Sequence, residues 1–329
     1  MILSDIDYLL YKFPNEEIQC FSGTWIKTDF TNIPDGVFFV SNFNGDNSYY
    51  FEIQNKESLN VNLQLNLQNN NNFITDKETY INNCKAFIQK LKSEKMDKAI
   101  LSRVKSIPNE KSQNVLAVFK KMSKIYHDKA LVYLISSSLF GTWMGATPEI
   151  LISGNAEKLH TVSLAGTKLE KDTKWTSKEL EEQQIVTDYI LENLKQNGAD
   201  EIRYSEVYTT HTGAVFHLKS DISFTLNKEK WRRLISDLHP TPAVCGQPKL
   251  LAKEIILDSE KHERRFYTGM IGFLGSDELK TYVNLRCMEV NEKEYLLYLG
   301  GGITQLSNPE DEWQETENKA KTLIGCIVL

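Results

Sequence analysis

The chain reads as an α+β protein built mainly on antiparallel sheets, and two observations lead there. Strand-like runs outnumber helix-like runs, and the two do not alternate in the βαβ rhythm that a doubly wound fold needs. The 329 residues include 41% hydrophobic and 25% charged side chains, ordinary for a globular protein with a substantial buried core. No repeat or linker-like stretch divides them, so a single domain over 1–329 is expected.

Residues 1–68 suggest short strands, for example 36–41 and 49–53, punctuated by Asn, Asp and Gly turns. The run Asn69–Asn72 is a small low-complexity patch, read as a solvated loop. An amphipathic helix follows. Thr75 and Glu78 fit a capping box, and Tyr80, Ile81, Cys84, Phe87, Ile88 and Leu91 recur at helical spacing until the charged stretch 90–95. The segment 97–104 is a strand with Lys98 at its entry. Beyond it, helices are expected near 112–126, 177–196, 247–257 and 309–325. Strands are expected near 131–136, 148–153, 160–166, 202–209, 270–275, 280–289 and 295–303.

The formal net charge is −6 and no basic run occurs, which excludes the phosphate-neutralising surface of a nucleic-acid binder. No apolar stretch approaches the roughly 20 residues that span a bilayer. The N-terminus carries Asp5 and Asp7 where a signal peptide would be basic. The five cysteines are scattered and never form a C-x-x-C pair, which suits reduced thiols in a cytoplasm better than a disulfide framework. The six histidines show no zinc-site spacing.

Two acidic helices are the most informative chemistry. Glu179 and Glu182 stand three apart on one helix face, and Glu312, Glu315 and Lys319 form a stripe along the last helix, which opens with an Asn308 cap and Pro309. Two such faces can converge on a hard cation such as Mg²⁺, or they can be solvated faces favoured by the helix dipole; spacing alone leaves both open. Glu149 lies at the mouth of an apolar strand, where burial would keep it protonated as a general acid, although a surface position is equally compatible. Lys98 is either exposed or desolvated, and a desolvated lysine can act as a general base. Gly300, Gly301 and Gly302 form a tight turn or a cradle for a carboxylate. His217 and Arg286 sit in apolar surroundings, where a guanidinium wants an anionic partner.

Ten segments in order resemble the chorismate-binding family of anthranilate, aminodeoxychorismate, salicylate and isochorismate synthases. They are KAILSRV (98–104), GATPEILIS (145–153), LAGTK (164–168), KELEEQQIV (178–186), HTGAVFHL (211–218), LHPTPAVCGQPK (238–249), ERRFYTGMIG (263–272), VNLRC (283–287), LGGGIT (299–304) and PEDEWQETENK (309–319). The resemblance covers 97–325, while 1–96 matches only in general character. It implies one α+β domain, the chorismate-binding fold, with two large mainly antiparallel β-sheets packed together and helices outside. It also implies that Lys98 activates water to attack ring carbon C2 and that Glu149 protonates the departing C4 hydroxyl. Glu182 and Glu315 would bind Mg²⁺, with Glu179 and Glu312 beside them or acting through water. Arg286, Tyr267, Lys319 and the Gly301–Gly302 backbone would grip the enolpyruvyl carboxylate. Gly166 and Thr167 would line the pocket and His217 would face the reacting ring edge.

Among siblings, the resemblance favours an isochorismate synthase. Lys98 stands where amine-using members carry Gln, so no glutaminase subunit is expected. Ala243, within Pro242-Ala243-Val244-Cys245-Gly246, matches the isochorismate-forming pattern, and no Leu-Leu-Glu-Ser feedback motif occurs near the N-terminus. A salicylate synthase, or a catalytically silent chorismate-binding subunit, are the alternatives. Gln183 replaces the family's usual histidine, for which a place behind the metal ligands is expected, and Cys245 replaces a serine. A cytoplasmic monomer acting on chorismate, for menaquinone or siderophore synthesis, completes the expectation.

Overall fold

The computed structural model describes residues 6–59, 63–68, 72–109, 114–168, 174–212 and 215–327. Asn69, Asn70 and Asn71 of the expected loop lie outside the described residues. In chain order the strands are β1 Asp7–Lys12, β2 Gln19–Thr28, β3 Val37–Ser41, β4 Ser48–Lys56, β5 Lys98–Pro108, β6 Leu131–Ser137, β7 Gly141–Thr147, β8 Ile150–Asn155, β9 Leu159–Lys168, β10 Asp200–Tyr204, β11 Tyr208–Thr212, β12 Val215–Thr225, β13 Gly246–Gln247, β14 Met270–Leu274, β15 Glu278–Val283, β16 Cys287–Val290 and β17 Glu294–Thr304. The helices are α1 Lys77–Ser93, α2 Val115–Ile125, α3 Ser177–Gln196, α4 Trp231–Leu238, α5 Lys249–Ser259 and α6 Pro309–Ile327.

Antiparallel pairings link the strands in the order β13–β5–β17–β16–β7–β6–β1–β2–β4–β3–β14–β15–β8–β9–β12, with β10 and β11 both paired to β12. The expected two layers are therefore the halves of one ladder, joined through β1, β2 and β4. Strand alternation builds the layers. Along β6, Leu131, Tyr133 and Ile135 enter the core between the halves, where they join Trp25, Trp143 and Ile271. Val132 and Leu134 point the other way, into a cluster with Phe119 and Met122 of α2 and Leu323 of α6. On the second half, Val186, Ile190 and Leu194 of α3 and Leu234 and Leu238 of α4 cover Leu159, Ile222 and Phe224.

Several details depart from the expectations. Helix α1 is capped by Asp76, whose carboxylate accepts from Thr79 N at 2.8 Å, one residue after the expected Thr75; Thr75 N is bonded to Val104 O. The strand expected at 202–209 is two short strands, β10 and β11. The strand expected at 280–289 breaks between β15 and β16, where Arg286 takes a left-handed φ of +40°. Helix α4 was not expected at all. At the start of α6, Asn308 caps as expected, accepting from Glu310 N at 2.9 Å.

Among the described residues no helix is long and apolar enough to cross a membrane. All five cysteines are buried and none is in a disulfide.

Leu297 is 0% exposed beneath α2 and α6, whereas Leu306 is 92% exposed. Leu297→Ala should cost about 2–5 kcal/mol and Leu306→Ala under about 0.5 kcal/mol, read from urea unfolding midpoints.

Candidate active site

A cavity of about 190 Å³ gathers side chains from most of the expected motifs. Lys98 and Ile100 enter from β5, Glu149 from the turn before β8, and His217 from β12. Glu179 and Glu182 descend from α3, and Glu312, Glu315 and Lys319 from α6. Gly166, Ala243, Tyr267, Arg286, Gly301 and Gly302 complete the set of expected residues. The Thr167 side chain lies outside those described. Tyr298, Thr268 and Leu323 also line the cavity; Thr268 falls within the segment 263–272, but none of the three was singled out from the sequence.

The glycine run of β17 makes room for the side chains of the site. A Cβ on Gly302 would stand 2.5 Å from Lys98 Cε, so glycine there lets the lysine lie across the strand. A Cβ on Gly300 would stand 2.8 Å from Tyr267 Oη. Gly301 faces the acids of α6, its would-be Cβ 3.4 Å from Glu312 Oε2 and 3.6 Å from Glu315 Oε1.

Glu149 is buried, and desolvation lifts its carboxyl to about 7 against the opposing pull of Lys98, Lys319 and Arg286. Its turn is pinned to the Arg286 loop. The Thr147 hydroxyl donates to Val283 O, Leu285 N donates to Thr147 Oγ1 at 3.2 Å, and Ala146 N donates to Arg286 O at 3.1 Å. These bonds account for the break in the strand expected at 280–289. His217 Nδ1 lies 2.9 Å from the Gly166 carbonyl oxygen, which can only accept, so Nδ1 carries the proton. Burial first, and then the nearby Arg286 and Lys319, depress this imidazole to about 4, so it is neutral near pH 7. Burial raises the Tyr267 phenol, which stays a neutral hydroxyl.

The four expected carboxylates share the cavity, but each also engages a donor of the chain. Lys98 Nζ donates to Glu182 at 3.2 Å, and Lys319 Nζ lies 2.7 Å from Glu315 and donates to Gly300 O at 2.8 Å. Glu179 closes the α3 capping box, accepting from Thr176 N at 2.8 Å, and Ser307 donates to Glu312 at 2.6 Å. Among the described residues no three acidic, His or Cys side chains already form a coordination shell. The donor set nevertheless suits a hard divalent cation, being all carboxylate oxygen from two helices around one cavity.

Gln183 does not turn toward these acids. Its amide lies within hydrogen-bonding reach of Ser163, Thr187 and Ser220, at 3.0–3.2 Å, and ties α3 to β9 and β12. Cys245 is buried behind the Ala243–Val244 turn, its thiol directed at Lys249 O at 3.7 Å.

The family profile described as chorismate binding enzyme matches residues 47–325, beginning ahead of the first motif at Lys98. Isochorismate synthase DhbC of Bacillus subtilis is 32% identical over 200 residues, 56% of this chain and 50% of that protein. Isochorismate synthase EntC of Escherichia coli K12 is 27% identical over 202 residues, 57% of this chain and 52% of that protein. The matches thus span about half the length of these curated relatives. The solved structure of MenF, the menaquinone-specific isochorismate synthase from Escherichia coli, superposes with a TM-score of 0.82 at 19% identity, covering 98% of this chain and 88% of that one. At that identity the likeness establishes the fold.

Glu149 gives this site a signature in stability. Between about pH 4.5 and 7 the native chain holds a proton there that the unfolded chain has released, so this group's contribution fades as pH rises through 7. His217 acts oppositely at lower pH, so the comparison must be with Glu149→Gln. From pH 4.5 to 8, wild-type unfolding free energy should fall relative to that variant by something on the order of 3 kcal/mol, measured by urea denaturation. Parallel curves would mean that the carboxyl titrates normally.

Proposed function

Starting from the fact that this chain belongs to the chorismate binding enzymes, we propose that it is an isochorismate synthase, a Mg²⁺-dependent isomerase of chorismate. The observation that carries the reading is Lys98 and a proton-holding Glu149 lining one cavity with carboxylates and cations suited to a dianionic substrate. The curated relatives named isochorismate synthase support the choice among siblings.

In this reading Lys98, as the amine, takes a proton from a water that attacks ring carbon C2. The ring double bonds shift, the C4–O bond breaks, and Glu149 delivers its proton to the departing hydroxyl, which leaves as water. One water enters and one leaves, so the product is an isomer. Afterwards a proton returns from the Lys98 ammonium to the Glu149 carboxylate, through solvent or product, and the enzyme is restored. Arg286, Tyr267 and Lys319 hold the enolpyruvyl carboxylate, two by charge and one by a phenol that burial keeps protonated. Neutral His217 sets an uncharged nitrogen at the ring edge, so it adds no positive charge that would compete for the carboxylates.

Glu182 and Glu315, with Glu179 and Glu312 beside them, would hold Mg²⁺. The ion would bind the ring carboxylate and offset the repulsion between a dianion and four glutamates. Its arrival would release Lys98 and Lys319 from Glu182 and Glu315 for their roles toward substrate.

Chorismate incubated with the protein and Mg²⁺ should yield isochorismate alone on chromatography. Salicylate with pyruvate would replace this reading by a salicylate synthase, and unchanged chorismate would replace it by a silent binder. Lys98→Ala and Glu149→Gln should each lower kcat by about 10²–10⁴-fold with circular dichroism unchanged; a wild-type rate in either removes that residue from the mechanism. EDTA should stop turnover and added Mg²⁺ restore it, whereas activity that persists in EDTA argues against the carboxylate site.

A further inference from the structure

Strand β5 presents different chemistry on its two faces. Lys98 and Ile100 look into the cavity, while Ala99 and Leu101 pack under the helices with Tyr80 and Trp313. Arg103 shares this second face, and it is 1% exposed. Its Nε donates to Thr316 Oγ1 at 2.8 Å, and a terminal nitrogen donates to Glu317. Its guanidinium carbon lies 3.8 Å from the Trp313 ring centroid and 6.0 Å from that of Tyr80. Three of these four partners belong to α6.

Trp313, Thr316 and Glu317 form a stripe at i, i+3 and i+4. The cavity-lining Glu312, Glu315 and Lys319 form another, about 120° away around the helix. Turning α6 so as to carry the acids off the cavity would strip the buried guanidinium of its carboxylate and hydroxyl. An unpaired buried cation is costly, so that rotation is resisted. Lys98 lies on the same strand, five residues before Arg103.

We propose that Arg103 is a positioning residue that locks the rotational phase of α6 against β5, so that Glu312, Glu315 and Lys319 meet Lys98 across one cavity. The inference rests on the functional reading above, and its test separates the two. Full-length wild type, Arg103→Met and Arg103→Lys are compared for fold by circular dichroism, for Mn²⁺ binding without substrate by electron paramagnetic resonance, and for chorismate turnover.

Arg103→Met should fold, bind Mn²⁺ at least tenfold more weakly and lose at least tenfold in kcat, with Arg103→Lys recovering part of both. A merely structural arginine would lower the melting temperature and leave Mn²⁺ affinity and kcat at wild-type values in the folded protein; that result overturns the proposal. Should Arg103→Met fail to fold, Glu317→Gln takes its place. Mn²⁺ affinity at least threefold weaker supports the clamp, and wild-type affinity overturns it. Wild type that turns over chorismate without binding Mn²⁺ sinks the metal reading alone, and kcat of Arg103→Met then decides the clamp. Wild type that binds Mn²⁺ without turnover sinks the functional reading, and Mn²⁺ affinity decides the clamp.

Discussion

The pairing of β5 with β17 is the constraint on which the site depends. It runs in unbroken register from Lys98 opposite Thr304 to Pro108 opposite Glu294. Within it, the missing side chain of Gly302 leaves the channel in which Lys98 lies. A slip of one residue would exchange the faces of β5, sending Lys98 among the helices and Arg103 toward the cavity. The register is well defended, because Leu101 and Val104 belong to two different cores and would be misplaced together.

Around that strand the protein sorts charge by burial. Glu149 and His217 are withdrawn from solvent and are driven toward their neutral forms. The glutamates of α3 and α6 keep lysine, hydroxyl or backbone donors within reach. The cavity thus combines a proton donor, an uncharged imidazole and paired ions in one small volume. On the proposed reading, such a mixture serves an anionic substrate whose hydroxyl leaves with a proton.

What the sequence revealed followed the range of the forces involved. The Asn308 cap and first turn of α6 were legible because they are local. The start of α1 was placed one residue early: Thr75 and Glu78 match a capping box, yet Asp76 is the cap and Thr75 N is bonded to distant Val104. Helix α4 carries helical spacing in Trp231, Leu234, Ile235 and Leu238, but it is a short segment without a side-chain cap. The break before β16 is imposed by bonds to Ala146 and Thr147, which no local pattern encodes. For the site, spacing alone left the acidic faces of α3 and α6 open to a solvated reading, and only the ordered family motifs drew them toward one cavity. Arg103 and Gln183 stood inside those motifs, yet their roles depend on partners far along the chain.

The single ladder has a consequence for how the chain is made. Strand β5 leaves a ribosome well before its partner β17, and β3 well before its partner β14. Until those late segments are synthesised, hydrophobic strands are left with open hydrogen-bonding edges. Such species fold slowly and associate readily. Completion of the cavity and protection from aggregation therefore arrive together, once β17 has been made, and a chain stopped short of β17 would lack both.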